Sequence, residues 1–264
     1  YHLDNHQRRE TYDPSPGKRK DSFLALFGCS YTMGEGVRDE ETLPSELARL
    51  FPKTRVYNYG FHGFGPANAV WRLEHLPLRR EIPESNGTGI YVYIDDQFRR
   101  VTATMSYVAG WGRAFPYYEA DERGELHDAG SFEKAHPLRT RLYDMLSSLA
   151  LLRLFQLDLP LSRPPTGAKL VALHLKAIRD RFLREYPGQR FFVLFFPRSE
   201  FSWGVREHLV RLGVEIIDYA GLEVPWTRGQ PHPPAETYRV VAERLAQDLT
   251  PRSARLARSA ELNM

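Results

Sequence analysis

The chain has 264 residues, 42% hydrophobic and 26% charged, with 15 Phe, 14 Tyr and 4 Trp. That length suits one large domain or two small ones, and the aromatic content excludes a disordered chain. No run approaches the roughly 18 apolar residues of a spanning helix. The net charge of +3 is too mild and too dispersed for a nucleic-acid surface, and the single cysteine, Cys29, rules out an intrachain disulfide.

Residues 1–20 are polar, carry Pro14, Pro16 and Gly17, and read as a surface arm. Because the chain begins at Tyr1 and not at Met, removal of an upstream signal peptide or membrane anchor is expected; cytoplasmic and exported locations both stay open. The run Phe23-Leu24-Ala25-Leu26-Phe27 before Gly28 has the texture of a strand buried on both faces. Thr42-Leu43-Pro44 opens a helix to Leu50, with proline in the first turn where its missing N–H costs little. Val56 to Tyr59 is a second strand, followed by a glycine-rich turn. Pro66 starts a helix to about Leu76, with Val70, Leu73 and Leu76 on one face and Pro77 as its stop. Gly89 to Ile94 is a third strand, closed by Asp95-Asp96.

From 97 to about 165 the rhythm breaks. A loop carrying Tyr107, Trp111, Phe115, Tyr117 and Tyr118 precedes a helix expected over Leu138 to Leu157. The aromatics either roof a ligand crevice or form a satellite core. Rhythm resumes with a helix from Ala168 to Tyr186, a strand from Phe191 to Phe196, a helix from Val205 to Leu212 and a strand from Val214 to Ile217. Pro234 to Leu249 is an amphipathic helix with Tyr238, Val241, Leu245 and Leu249 inward, and 251–264 is a basic, solvated tail.

Five apolar strands alternating with helices predict an α/β fold. The expected form is a three-layer α/β/α sandwich on a central parallel sheet, flavodoxin-like, as a single domain over 21–250 with an insertion at about 97–165. In such a sheet the crevice lies beyond the carboxyl ends of the strands. Those ends deliver Gly28-Cys29-Ser30, the turn from Asn58 to Gly65 and the pair Asp95-Asp96. Just before the last helix comes Gly229-Gln230-Pro231-His232-Pro233. Ser30 on a tight turn suits a nucleophile, or a turn cap. His232 suits a general base, or a surface histidine. Gly63 either offers its N–H to an oxyanion or is there for a positive φ. Cys29 is expected to be buried, its side chain directed away from that of Ser30.

The order of these blocks resembles the SGNH hydrolase superfamily, the GDSL-like esterases, over about residues 21–250. Gly28-Cys29-Ser30 stands where the family has Gly-Asp-Ser. Asn58 to Gly63 stands for its Asn-x-x-x-x-Gly turn, and His232-Pro233 for its histidine block. The resemblance implies the SGNH hydrolase fold and a serine esterase that hydrolyses carboxylic esters through a Ser30 acyl-enzyme. His232 would relay the proton. The backbone N–H groups of Ser30 and Gly63 would hold the oxyanion, with Gly60 and Asn58 in the same turn. Tyr31, Met33, Phe61 and His62 are the expected acyl or substrate pocket. No metal or organic cofactor is implied, and the partner is a small ester or acylated glycan, such as a carbohydrate O-acetyl group. A glycan O-acyltransferase using the same serine and a non-catalytic glycan-binding domain are the alternatives.

Two positions depart from the family. Where an Asp precedes the histidine by two or three residues, this chain has Gln230 and Gly229. Where the third block ends in Asn-Asp, Asp95 takes the Asn slot; an ionised Asp only accepts and repels an oxyanion. The expectation is that Asp95 or Asp96 turns to His232 and supplies the missing carboxylate, the competing arrangement being a pair with Arg99 or Arg100. Asp218 is a further candidate. No dinucleotide fingerprint, P-loop or structural zinc spacing is found. The acidic run Asp39-Glu40-Glu41 reads as a solvated helix start.

Overall fold

A computed structural model describes residues 1–149, 152, 154, 155, 157–160, 165–201, 204–227 and 229–250. The basic tail at 251–264 lies outside them. Five strands make one sheet: β1 (Ser22–Gly28), β2 (Thr54–Gly60), β3 (Gly87–Tyr93), β6 (Arg190–Phe195) and β7 (Glu215–Asp218). Their order is β2-β1-β3-β6-β7 and all four pairings are parallel. The chain leaves β1 towards β2 on one side and returns to β3 on the other. The sheet therefore reverses direction at β1, and that reversal opens a crevice beyond the carboxyl ends of β1 and β3.

The alternation of side chains along each strand builds the layers. Phe23, Ala25 and Phe27 of β1, Tyr91 and Tyr93 of β3, and Phe191, Val193 and Phe195 of β6 share one core. The helices Pro66–His75, Pro165–Glu185 and Val205–Arg211 cover that face. Leu24 and Leu26, Ile90 and Val92, and Leu194 point the other way, into a second core. The helices Leu43–Leu50 and Ala235–Leu249 close this face, the latter through Tyr238, Val241 and Leu245. A three-layer α/β/α sandwich results, with β3 at its centre and β1 beside it, each apolar on both faces.

The insertion departs from its sequence reading. Its aromatic segment contains a hairpin, β4 (Pro116–Ala120) with β5 (Leu126–Ser131), turning at Asp121 to Gly124. The helix expected from Leu138 to Leu157 spans Pro137–Ser147; the rest of that stretch falls partly on residues outside those described. Tyr107 and Phe132 are buried with Met105, Val108 and Tyr143, and Phe115 and Tyr117 pack on them as a satellite core, whereas Tyr118 joins the main core and Trp111 is exposed.

The first twenty residues are pinned down. Arg9 is 3% exposed. Its guanidinium donates to the carbonyls of Met33, Gly34 and Val37, and its Nε donates to Asp39 Oδ1 at 2.7 Å. Asp39 is thus the counter-charge of a buried arginine, while Glu40 and Glu41 pair with exposed Arg38 at the helix start. Replacing Arg9 with Ala strands these three carbonyls and Asp39. The expected loss is about 3 kcal/mol, read as a lower urea midpoint with an unchanged slope.

Candidate functional site

The position of Ser30 is built by close approach of backbones. Gly28 ends β1, pairs with Gly60 of β2, and is followed by the short helix Ser30–Met33. A Cβ on Gly60 would lie 2.4 Å from the backbone N of Met33, so only glycine lets β2 pass this helix. Asn58, 1% exposed, ties the two together. Its Oδ1 accepts the Gly60 N–H at 3.0 Å and its Nδ2 donates to the Met33 carbonyl at 3.4 Å. Asn58 and Gly60, expected at the oxyanion, are therefore structural: the Gly60 N–H is already taken. Among the described residues, the backbone N–H groups of Ser30 and Gly63 have no protein acceptor. Gly63 has φ +68, and a Cβ there would lie 2.8 Å from Trp111 Nε1.

The histidine arrives from the other end of the chain. His232 Nε2 is 2.9 Å from Ser30 Oγ. Tyr31, next to the serine, holds this loop: its hydroxyl donates to the Pro231 carbonyl at 3.0 Å. Its ring meets those of His232, Trp226 and Phe196 at 5.6, 5.5 and 5.7 Å. Burial pushes the Tyr31 phenol up to about 12, so it stays a donor. Tyr31 is a clamp on the histidine loop, not a pocket wall. Met33, also expected in the pocket, is buried beneath the site at 1% exposure. Phe61 is exposed and lines an apolar cavity of about 780 Å³ with Phe64, Trp71 and Phe115. Cys29 is fully buried.

The carboxylates are not where the sequence reading puts them. Asp96 faces Arg99 and Arg100, accepting from Arg100 Nε at 2.8 Å and nothing from His232. Burial raises the Asp96 carboxyl, but the charges of Arg100 and Arg99 outweigh it and hold the group below the usual carboxylate range. Arg100 in turn donates to the Phe64 carbonyl, fastening the turn after β2. Asp95 accepts the Phe201 N–H at 2.8 Å, and Asp218 accepts from Arg206. The competing arrangement with arginine is thus the one Asp96 adopts. Among the described residues, Nδ1 of His232 has no hydrogen-bond partner.

One carboxylate does reach the ring. Glu35 Oε2 lies 3.3 Å from His232 Nε2 and 2.7 Å from His62 Nδ1. The sequence reading passed over Glu35. Its signal was its place between Gly34 and Gly36, directly after the nucleophile helix. His62, expected in the substrate pocket, instead holds this acid.

No family model matches the sequence, and no curated protein matches it. Solved structures do. One superposes with a TM-score of 0.50 at 12% identity, covering 88% of this chain and 97% of its own. A member of the lipolytic protein G-D-S-L family from Veillonella parvula gives 0.48 at 12% identity, covering 88% and 99%. Est24, a carbohydrate acetylesterase from Sinorhizobium meliloti, gives 0.43 at 13% identity, covering 88% and 98%. At such identities the likeness is one of fold.

Two outcomes follow from this geometry. Gly60→Ala is expected to lose about 2–3 kcal/mol in urea denaturation, since its Cβ meets backbone that has nowhere to go. For Asp96, a carboxyl depressed in the folded state contributes stability above its unfolded value near 4, which fades as pH falls through the lower folded value. Wild type should exceed Asp96→Asn by about 2 kcal/mol at pH 7, and the gap in melting temperature should close below about pH 4.

Proposed function

We propose that this protein is a serine esterase that hydrolyses small carboxylic esters, O-acetyl groups on a carbohydrate among them, through an acyl-enzyme on Ser30. The observation that carries the reading is the 2.9 Å contact between Ser30 Oγ and His232 Nε2 at the crevice beyond β1. A hydroxyl at that distance from an imidazole nitrogen can lose its proton as it attacks.

Oγ adds to the ester carbonyl carbon while its proton passes to Nε2. The carbonyl oxygen becomes an oxyanion, held by the uncommitted N–H groups of Ser30 and Gly63; such donors are each worth about 10²–10³ in rate. On collapse the ester C–O bond breaks, and the departing alcohol oxygen takes the proton from Nε2. Water then adds to the acyl-serine, gives its proton to Nε2, and the second collapse returns a proton to Oγ and releases the carboxylic acid. Asp95, turned towards Phe201, leaves the oxyanion less exposed to its charge than an inward-facing carboxylate would.

The test is covalent labelling with a fluorophosphonate together with turnover of p-nitrophenyl acetate. Ser30→Ala is expected to abolish labelling, and Ser30→Ala and His232→Ala each to lower kcat/KM by about 10³-fold or more with an unchanged circular dichroism spectrum. Labelling that survives Ser30→Ala would overturn the reading.

A further inference from the structure

The carboxylate beside His232 sits on an unexpected side of the ring. An orienting acid acts at Nδ1, holding the tautomer that leaves Nε2 free to accept. Glu35 stands at Nε2, at ion-pair distance, beside the same nitrogen that Ser30 Oγ contacts. An imidazole nitrogen has a single in-plane bonding direction. In ester cleavage the departing alcohol oxygen must come within about 2.6–3.2 Å of Nε2 to collect its proton. A carboxylate oxygen already 3.3 Å from that atom crowds this approach and repels the negative charge that grows there.

A place to withdraw to is present. His62 Nδ1 holds the same Oε2 at 2.7 Å, the shorter of the two contacts. A carboxylate only accepts, so in this contact Nδ1 carries the hydrogen. The Glu35 side chain is 40% exposed. Gly34 and Gly36 flank it with φ +88 and +89, and Gly36 packs towards the Cβ of His232. Arg9 fixes the loop's backbone from both sides of Glu35, through the carbonyls of Gly34 and Val37. The backbone is therefore anchored, while the half-exposed side chain is held at its tip by His62 alone of the two rings at hydrogen-bond distance.

We propose that Glu35 is a latch over the leaving-group position and so determines which alcohols the site can release. Its carboxylate is bonded to His62 and overhangs Nε2 from there, and it shifts off Nε2 when the alcohol portion of the ester enters. This rests on the esterase reading above and assigns the residue that selects the alcohol half of its substrate. Bulky alcohols need the latch fully withdrawn, whereas the smallest fits with little displacement.

The test compares methyl acetate with benzyl acetate, which share an acyl group and differ in alcohol size, in wild type, Glu35→Ala and Glu35→Gln. Glu35→Ala is expected to raise kcat/KM on benzyl acetate about threefold or more, with a smaller gain on methyl acetate. Glu35→Gln, of equal size but without charge, should show the same order with smaller gains. Equal gains on both esters would mean that charge alone acts and would overturn the latch, as would variants that do no better than wild type. Fluorophosphonate labelling of the same proteins separates the two readings. If labelling depends on Ser30 while Glu35→Ala brings no gain, only the latch fails. If no protein is labelled and none turns over, both fail.

Discussion

A contact between Ser30 and His232, 202 residues apart in sequence, is the constraint around which the rest of the molecule is arranged. Neither side chain is held there by its own secondary structure alone. The serine is fixed because Gly28 ends β1 and Gly60 lets β2 pass within contact of the helix that follows. The histidine is fixed because Tyr31 reaches across to the Pro231 carbonyl and stacks edge-on against His232 and Trp226. One residue thus lies next to Ser30 and clamps the loop of His232, so the two groups move together if they move at all.

The acids around this contact show how electrostatics distributes roles. Asp96 has the right neighbourhood for an orienting acid, but two arginines claim it, and a bidentate guanidinium is a stronger partner than an imidazole. Its task is instead to neutralise buried Arg100, which fastens the turn carrying Gly63. Asp95 anchors the segment at Phe201. The carboxylate left at the rim is Glu35, shared between two histidines. The acid at the serine–histidine contact and the acids that pair with arginine or backbone are different residues, even though Asp95 and Asp96 are adjacent at the end of β3.

What was legible in the sequence was what local pattern determines. The strands announced themselves because each is an apolar run stopped by glycine, acid or proline, and their alternation with helices dictated a parallel sheet. Ser30 followed from its position at the end of the first strand, and His232 from its position just before the last helix. Glu35 did not, because its meaning depends on two histidines brought to it by other loops. Arg9 did not either: a polar residue in a polar arm gives no sign that it will be swallowed by three carbonyls and an aspartate. The hairpin from Pro116 to Ser131 was hidden because its strands are short and polar on one side, with aromatics that resemble a loop cluster.

The distance in sequence between the two reacting groups has a consequence during biosynthesis. The strand that ends beside Ser30 is laid down early, while the loop bearing His232 follows the last strand of the sheet. A nascent chain that has already formed its first strands therefore carries a hydroxyl with no imidazole to activate it. The serine–histidine contact forms only when the final loop docks on Tyr31, so an unfinished or truncated product lacks it.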